Sequence, residues 1–190
     1  MIKEEGSEQE LLQKIRCGDI KAMKELYNNY SGYLTAVCSR YIDSNDDVRD
    51  ILQESFIKIY NNINKFEYRG NGALKAWMTR ITVNESLKQL KTKEHLVIIK
   101  PTWDLPDVIE EEEPDFDDIP SSVILDMIRS LPNGYRTVFN LFVFEGKSHK
   151  EIASILKIAE SSSASQFHRA KRILVRRIEE YKSIQILSHE

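Results

Sequence analysis

The chain has 190 residues, 41% of them hydrophobic and 30% charged, with a formal net charge of −3 at pH 7. This length suffices for one medium or two small hydrophobic cores, and the total charge is not that of a protein coated with basic residues for nucleic-acid binding. No apolar run approaches the roughly 20 residues that a membrane span requires, and the acidic amino terminus lacks the features of a signal peptide. We therefore expect a cytoplasmic protein.

The two cysteines and four histidines of the chain are scattered along the sequence. Cys17 and Cys38 have no neighbouring cysteine or histidine partner, which favours two small core residues over a zinc site or a disulfide. No phosphate-binding loop, dinucleotide-binding glycine motif, zinc-protease motif or nucleophile elbow occurs. The sequence thus predicts no enzyme activity, catalytic residue, metal, cofactor or small-molecule substrate.

Residues 1–93 have the three- and four-residue periodicity of amphipathic helices. Gly18 interrupts the first helix, and Asp46 or Asp47 is a candidate cap for a later one. A Gly-Asn-Gly at 70–72 breaks the chain before the last helix. The positions predicted to face the core are Leu11, Leu12, Ile15, Ala22, Met23, Leu26, Tyr27, Tyr30, Leu34, Val37, Cys38, Tyr41, Val48, Ile51, Leu52, Ser55, Phe56, Ile59, Tyr60, Leu74, Trp77, Met78, Ile81 and Leu87. This pattern predicts an all-α domain.

Residues 94–122 differ sharply in composition from both flanks. They hold one basic residue, ten acidic residues and four of the five prolines. Proline at this spacing prevents a long helix, and clustered carboxylates repel one another, so the segment is predicted to be a linker. It is either a solvated tether or an acidic strip that keeps basic surfaces apart or mimics nucleic acid.

Residues 123–190 predict a second all-α domain. Ser148 and Glu151 form a capping box that starts a short helix, residues 157–160 make a turn, and Ser161 or Ser162 is a candidate cap for a longer helix. This pattern is a short helix, a tight turn and a longer helix that begins with small polar residues. It is typical of the geometry that places a helix in the major groove of DNA.

Local charge supports DNA binding by this helix pair. Residues 147–182 hold nine basic and four acidic residues, which is the electrostatic footprint of a nucleic-acid partner. The alternative is an ordinary amphipathic helix hairpin with a basic solvent face. The candidate contacts to bases and phosphates, predicted to be exposed on the longer helix, are Ser162, Ser163, Ser165, Gln166, Arg169, Lys171 and Arg172.

Three stretches carry a resemblance to a known family. They are GDIKAMKELYNNY at 18–30, DDVRDILQESFIKIY at 46–60 with KAWMTRITVNESLKQLK at 75–91, and LPNGYRTVFNLFVFEGKSHKEIASILKIAESSSASQFHRAKRIL at 131–174. The chain resembles bacterial RNA polymerase sigma factors of the extracytoplasmic-function (ECF) group over about residues 10–93 and 124–180. The resemblance implies a sigma-2 helical bundle at 1–93, a linker at 94–122 and a sigma-4 helix-turn-helix domain at 123–190. It also implies an alternative sigma factor that binds core RNA polymerase and directs promoter-specific transcription initiation.

The resemblance implies a polymerase-binding surface at Asp50, Gln53 and Glu54, which would contact the clamp helices of the β′ subunit. Residues 43–54 hold five acidic residues against Arg49. The three candidates lie within about one helical turn, on one face of a helix. A solvated helix face is the alternative.

Residues 65–93 hold seven basic and two acidic residues. The resemblance implies that they read the minus-ten element, and that the loop before the last helix holds a flipped base of the non-template strand. Aromatic and basic residues together suit single-stranded DNA, because rings stack on bases while cations follow the backbone. The candidates are Phe66, Tyr68, Arg69 and Asn71 in the loop and Lys75, Arg80, Asn84, Lys88 and Lys91 on the helix. Trp77 either packs in the core or stacks on a base.

The carboxyl-terminal module resembles the domain that reads the minus-thirty-five element as duplex DNA, with two departures. Lys157 stands where the family usually has glycine, so a left-handed backbone there would be strained by about 1 kcal/mol. Ser163 stands where the family often has an apolar residue. The resemblance further implies promoter DNA and a membrane-anchored anti-sigma factor as partners. A stand-alone helix-turn-helix regulator and an inactive decoy that sequesters an anti-sigma factor are the alternative functions.

Overall fold

The computed structural model describes residues 5–92 and 119–188 of the chain, and every regular element in these two ranges is a helix. The all-α fold class predicted from the sequence is confirmed. The chain divides into two compact units, Met1–Glu94 and His95–Glu190. Within the described ranges, no helix is both long and apolar enough to span a membrane. Most of the predicted linker, residues 94–118, lies outside the described residues, so both interpretations of it stay predictions.

The described part of the first unit begins with two helices separated by a glycine. Helix α1 spans Glu5–Arg16 and α2 spans Ile20–Ser39. Gly18 has a φ of 83°, a left-handed conformation that ends α1 without the penalty a β-carbon would bring. The Asp19 side chain then accepts a hydrogen bond from the backbone N–H of Lys21 and caps α2. The break predicted at Gly18 is confirmed.

Two further helices complete this unit. Helix α3 spans Asn45–Asn62, a 3-10 turn follows at Ile63–Lys65, and α4 spans Ala73–Thr92. Ser44 caps α3, because its hydroxyl accepts the backbone N–H of Asp47. The predicted cap at Asp46 or Asp47 is therefore wrong. Both carboxylates lie instead in the first turn, where negative charge favours the helix.

The core of the first unit lies among all four α-helices. Leu26, Leu34, Ile59, Leu74 and Met78 are completely buried, as the helical periodicity predicts. Most of the other predicted core positions are also buried or packed against this cluster.

Tyr27 and Tyr60 are exceptions, with 51% and 61% of their surfaces exposed. They follow the core periodicity but lie at the open edge of the α2–α3 pair, so their predicted burial is wrong.

The two cysteines differ in environment. Cys38 is buried and its sulfur accepts a hydrogen bond from the Ser86 hydroxyl at 3.4 Å. Burial raises the pKa of the Cys38 thiol. Cys17 is exposed, because it follows α1 beyond the last core position at Ile15. The prediction that both cysteines belong to the core is wrong for Cys17.

The described part of the second unit contains α5 at Ser121–Arg129, α6 at Asn133–Val143, α7 at His149–Leu156 and α8 at Glu160–Ser188. Its core joins α5, α6 and α8. The buried residues of this cluster are Ile128, Leu131, Tyr135, Ala170 and Leu174.

The predicted capping box at the start of α7 is confirmed. The Ser148 hydroxyl accepts the backbone N–H of Glu151, while the Glu151 carboxylate accepts the backbone N–H of Ser148 at 2.9 Å. This backbone bond, together with the bond from the Ser148 hydroxyl, lowers the pKa of Glu151.

The turn between α7 and α8 is made by a lysine in a left-handed conformation. Lys157 has φ 57° and ψ 46°, and its N–H donates to the carbonyl of Ala153. Helix α8 begins at Glu160, and the carbonyl of Ala159 accepts the backbone N–H of Ser163 at 3.1 Å. The predicted cap at Ser161 or Ser162 is wrong, since both residues already lie inside the helix.

Candidate nucleic-acid interface

Three polar side chains on α3 form an exposed acidic face. Asp50, Gln53 and Glu54 are all exposed, whereas Ile51 and Ser55 on the same helix are buried. The structure therefore brings together all three residues predicted for polymerase binding, within one turn of one helix.

An apolar groove adjoins this acidic face. It has a volume of about 540 Å³ and lies between α2 and α3. Ile57 and Tyr60 are among its exposed apolar residues, and Gln53 belongs to both the groove and the acidic face. The residues that line it are Met23, Tyr27, Arg49, Leu52, Gln53, Phe56, Ile57 and Tyr60. Sequence reasoning missed the groove, although an apolar residue at Ile57, out of phase with the core, was a signal for it.

A basic stripe follows α4. We define it as Arg80, Asn84, Lys88 and Lys91, which are all exposed and lie within about 80° of the helix circumference at roughly 100° per residue. Lys75 lies on another part of the helix, with its ammonium 4.0 Å from the ring centroid of Tyr33 in a cation–π contact. The structure thus groups four of the five helix residues predicted for the minus-ten element and separates Lys75.

The loop before α4 turns its aromatic residues inward. Phe66 is only 8% exposed, and its ring centroid lies 5.0 Å from that of Trp77. The Arg16 guanidinium donates a hydrogen bond to the carbonyl of Phe66 and so attaches the loop to α1. Phe66 is therefore not an exposed ring, because burial of this large apolar side chain is more favourable than exposure, and its contact with a base stays a prediction. Tyr68 is partly buried against the same core.

The polar residues of this loop are exposed. Arg69 forms an ion pair with Glu67 at 2.9 Å, and Asn71 faces solvent. Gly70 and Gly72 have positive φ values of 109° and 80°, so this turn depends on glycine. Arg69 and Asn71 are therefore accessible for a contact with DNA.

A pocket of about 330 Å³ lies between α3, the 3-10 turn and α4. Phe66, Trp77 and Ile81 give it an apolar wall. The remaining lining residues are polar: Lys58, Asn62, Lys65, Asn84 and Glu85. Trp77 is half-buried, packs on Phe66 and also lines the pocket, whereas its stacking on a base stays a prediction.

An ion pair between Lys58 and Glu85 crosses the pocket from α3 to α4. Sequence reasoning identified neither residue, nor Asn62. No local pattern was available for the pair, because its two members are 27 positions apart in the chain.

The first turns of α8 divide into a buried and an exposed side. Ser163 is completely buried, and its hydroxyl lies 3.0 Å from Nδ1 of His149 at the start of α7. Its predicted exposure is wrong, because Ser163 lies on the same face of α8 as Ala170 and Leu174, which are also buried. Arg169 is partly buried and its guanidinium donates to the hydroxyl of Tyr135 at 3.4 Å.

The exposed side of α8 is a continuous polar face. Of the predicted contacts, Ser165 and Lys171 are exposed, while Ser162, Gln166 and Arg172 are partly exposed. Ser161, Ala164 and His168 are also exposed on this face. Sequence reasoning missed these three residues, although the helical period counted from the start of α8 at Glu160 identifies them. Within residues 5–92 and 119–188, no three His, Cys, Asp or Glu side chains are grouped as a metal site.

Comparison with known protein families yields one match for each unit. The pattern described as "Sigma-70 region 2" matches residues 26–95, and that described as "Sigma-70, region 4" matches residues 121–174. Together the two matches cover more than half of the chain.

Curated relatives match over nearly the full length. The chain is 28% identical to the ECF RNA polymerase sigma-E factor of Haemophilus influenzae, over 93% of this chain and 97% of that protein. It is 25% identical to the RNA polymerase sigma-H factor of Pseudomonas aeruginosa, over 88% of this chain and 91% of that protein.

Solved structures that align with the chain include the sigma factor RpoE of Bartonella quintana in complex with the anti-sigma factor NepR. It is 19% identical, with a TM-score of 0.49, and the alignment covers 85% of this chain and 98% of that chain. CnrH in complex with the cytosolic domain of CnrY is 18% identical, with a TM-score of 0.45, over 90% of this chain and 96% of that chain.

Two helical units that match regions 2 and 4 in this order define a class of transcription initiation factors, and the chain belongs to the sigma-70 family. Within that family it is an alternative sigma factor of the ECF group, and it directs transcription. The family is not known for enzymes. A stand-alone helix-turn-helix regulator is not favoured, because the region 2 match accompanies the helix-turn-helix.

Proposed function

We propose that this sigma factor binds core RNA polymerase through α3, holds single-stranded minus-ten DNA along α4, and reads duplex minus-thirty-five DNA with the exposed face of α8. The observation that carries the proposal is the position of the pocket next to the basic stripe. Asn84 belongs to both, so a strand whose phosphates follow the stripe passes the mouth of the pocket.

The surface on α3 has the composition of a protein-binding site. It combines exposed carboxylates at Asp50 and Glu54 with the apolar groove beside Gln53. Apolar side chains supply the buried area of an interface, and charges fix its register and its partner. This combination supports docking of the β′ clamp helices here.

The stripe and the pocket together suit a single strand. Arg80, Lys88 and Lys91 offer positive charge for phosphates, and the pocket offers an apolar wall for one unstacked base. Such a division of labour is typical of proteins that bind single-stranded DNA.

The exposed face of α8 suits the major groove. Small side chains at Ser161, Ala164 and Ser165 allow close approach, and Lys171 lies one to two turns further along. We further propose that the protein works in the cytoplasm and is held inactive by a membrane-anchored anti-sigma factor, as the resemblance to the ECF group implies.

Binding of core polymerase is tested with a triple variant, Asp50→Ala, Gln53→Ala and Glu54→Ala. We expect its affinity for core RNA polymerase to fall by about tenfold or more, because loss of several interface contacts commonly costs over 1 kcal/mol. A matched control replaces Glu25, Asn28 and Asn29 by alanine, since these are exposed on α2 at the same spacing. Equal affinities of the two variants, measured by surface plasmon resonance, would contradict the assigned surface.

Initiation is tested with purified chain and active core polymerase. We expect promoter-specific transcripts, and weak binding of promoter DNA by the chain alone that becomes tight when core is added. Tight binding without core would support a stand-alone regulator instead. Absence of transcripts from every genomic promoter would refute the proposed function.

A further inference from the structure

The pocket beside α4 contains a feature that the proposed function does not explain, the ion pair of Lys58 and Glu85. We propose that Glu85 determines base specificity in this pocket, by selecting a flipped base whose amino group lies opposite the sugar, cytosine or adenine, over thymine. This inference rests on the proposed minus-ten site and deepens it.

Glu85 is the most enclosed polar side chain of the pocket. It is 11% exposed, against 41% for Lys58, while Asn62, Lys65 and Asn84 are exposed residues. A group that enters the pocket therefore meets the Glu85 carboxylate at its deepest point and the lysines and amides nearer the mouth.

The pairing with Lys58 makes a carboxylate tolerable in a DNA-binding site. The Lys58 ammonium donates to Oε1 of Glu85 and offsets its negative charge, which would otherwise repel the phosphates of the strand. An ionised carboxylate has about four lone-pair sites that accept hydrogen bonds, and it has no hydrogen to donate. The bond to Lys58 therefore leaves Glu85 able to accept a hydrogen bond from a ligand.

The geometry of a nucleobase decides which atoms reach that depth. The sugar stays at the mouth of the pocket, so the edge opposite the glycosidic bond goes in first. At that edge cytosine and adenine carry an amino N–H donor and thymine carries a carbonyl oxygen, whereas guanine carries N–H donors as well as a carbonyl and is not discriminated. A carboxylate pairs with the amino group and repels the carbonyl, which would also lose its hydrogen bond to water.

The opposite wall suits the faces of the base. Phe66 and Trp77, 5.0 Å apart between ring centroids, form a tilted aromatic pair with Ile81 beside it. A pocket of about 330 Å³ lies within the usual range for small-molecule sites. The apolar wall accepts any base, so the selection falls to Glu85.

The test uses holoenzyme, assembled from the full chain and core RNA polymerase. The DNA is a pool of bubble duplexes from a promoter located by start-site mapping, with the non-template minus-ten bases randomised. Bound DNA is separated by gel shift and sequenced. We expect the wild type to enrich cytosine or adenine over thymine at one position by about tenfold, the range of one good base contact.

Glu85→Gln keeps the shape of the side chain but offers an N–H as well as an oxygen, so it accepts either kind of base. We expect the preference at that position to fall to about twofold or less, since the amide pairs with a carbonyl edge as well as with an amino edge. Glu25→Gln, the same change at an exposed site on α2, is the matched control and is expected to keep the wild-type preference.

A second measurement needs no variant and guards against misfolding of Glu85→Gln. In the wild type, replacement of the selected cytosine by 2-pyrimidinone, or of the selected adenine by purine, removes only the amino group. We expect about tenfold weaker binding, and a smaller loss in a folded Glu85→Gln holoenzyme, because a neutral amide oxygen binds the amino group less strongly than a carboxylate.

The outcomes separate this inference from the proposed function. Specific initiation with a thymine preference, with an unchanged preference in folded Glu85→Gln, or with no loss on removal of the amino group would overturn the role of Glu85 alone. A wild-type holoenzyme that enriches no base and starts no transcript would overturn both.

Discussion

Lys157 has a backbone conformation that residues with a β-carbon rarely adopt. Its φ of 57° ends α7 and turns the chain toward α8. For such a residue the left-handed region costs roughly 1–2 kcal/mol, whereas glycine adopts it freely. The side chain is exposed, so its removal sacrifices little packing.

We therefore predict that Lys157→Gly stabilises the protein by roughly 0.5 kcal/mol, the relief of strain less the extra entropy of an unfolded glycine. Lys157→Val should destabilise it by about 1 kcal/mol, because β-branched residues tolerate this region least. Urea denaturation of the three proteins measures both effects. Lower stability of Lys157→Gly than of the wild type would show that the lysine side chain makes a stabilising contact.

Helix α7 depends on its reciprocal cap, and this makes its stability dependent on pH. The pKa of Glu151 is lowered in the folded state, mainly by the backbone N–H of Ser148. A lowered folded pKa stabilises the protein above the pKa of an unfolded glutamate, about 4.3, and this contribution disappears as pH falls through the folded value.

Accordingly, Glu151→Gln should lower the melting temperature at pH 7, and the difference from the wild type should shrink below about pH 4 as the wild-type carboxylate becomes protonated. Thermal melts from pH 7 to pH 2.5 measure it. Glu179→Gln, a change at an exposed residue of α8, serves as the control and should follow the wild type. A difference that stays constant with pH would contradict the role of the ionised cap.

The basic stripe on α4 predicts a specific dependence on salt. Each phosphate that a cation neutralises on a single strand contributes about 0.7 to the slope of log affinity against log salt concentration. Lys88→Gln should therefore reduce the slope for a minus-ten oligonucleotide bound by holoenzyme by about that amount. Lys75→Gln is the matched change on the same helix. Holoenzyme with this variant should keep the wild-type slope, because Lys75 lies outside the stripe, over the ring of Tyr33. Equal slopes for both variants would argue against the stripe as the path of the strand.

The sequence predicts features of these elements that depend on neighbouring residues. The helical periods, the break at Gly18 and the capping box of Ser148 and Glu151 are each encoded within a few positions, and the structure confirms them. Features that depend on contacts between helices escaped prediction. The contact of Ser163 with His149 and the pairing of Lys58 with Glu85 are set by which helix faces meet, and no single helix specifies these partners.

At the scale of the whole molecule, a net charge of −3 conceals a strongly uneven distribution. Residues 65–93 hold seven basic and two acidic residues and include the exposed stripe of α4. Residues 147–182 hold nine basic and four acidic residues and include the exposed face of α8. Both basic segments carry the proposed DNA surfaces, and the acidic segment between them offsets their charge.

The acidic segment is predicted to act during initiation. We expect it to follow the path in the polymerase that RNA later occupies, as the resemblance to the ECF group implies, so the growing transcript must displace it. Replacement of Glu110–Glu113 by glutamine removes four negative charges and should change the ratio of abortive to full-length transcripts in vitro. An unchanged ratio would leave the segment with the function of a tether only.

The contact between His149 and Ser163 has a consequence for how promoter preference evolves. Together with Lys157 it joins α7 and α8 at the turn, and the aromatic stack of His149, Phe142 and Phe167 holds the pair against α6. Positions Ser161, Ala164, Ser165 and His168 lie outside this framework on the solvent side. Descendants of this sequence can exchange those four residues, and with them the proposed target sequence, at little cost to folding, so regulatory networks can diverge while the domain itself persists.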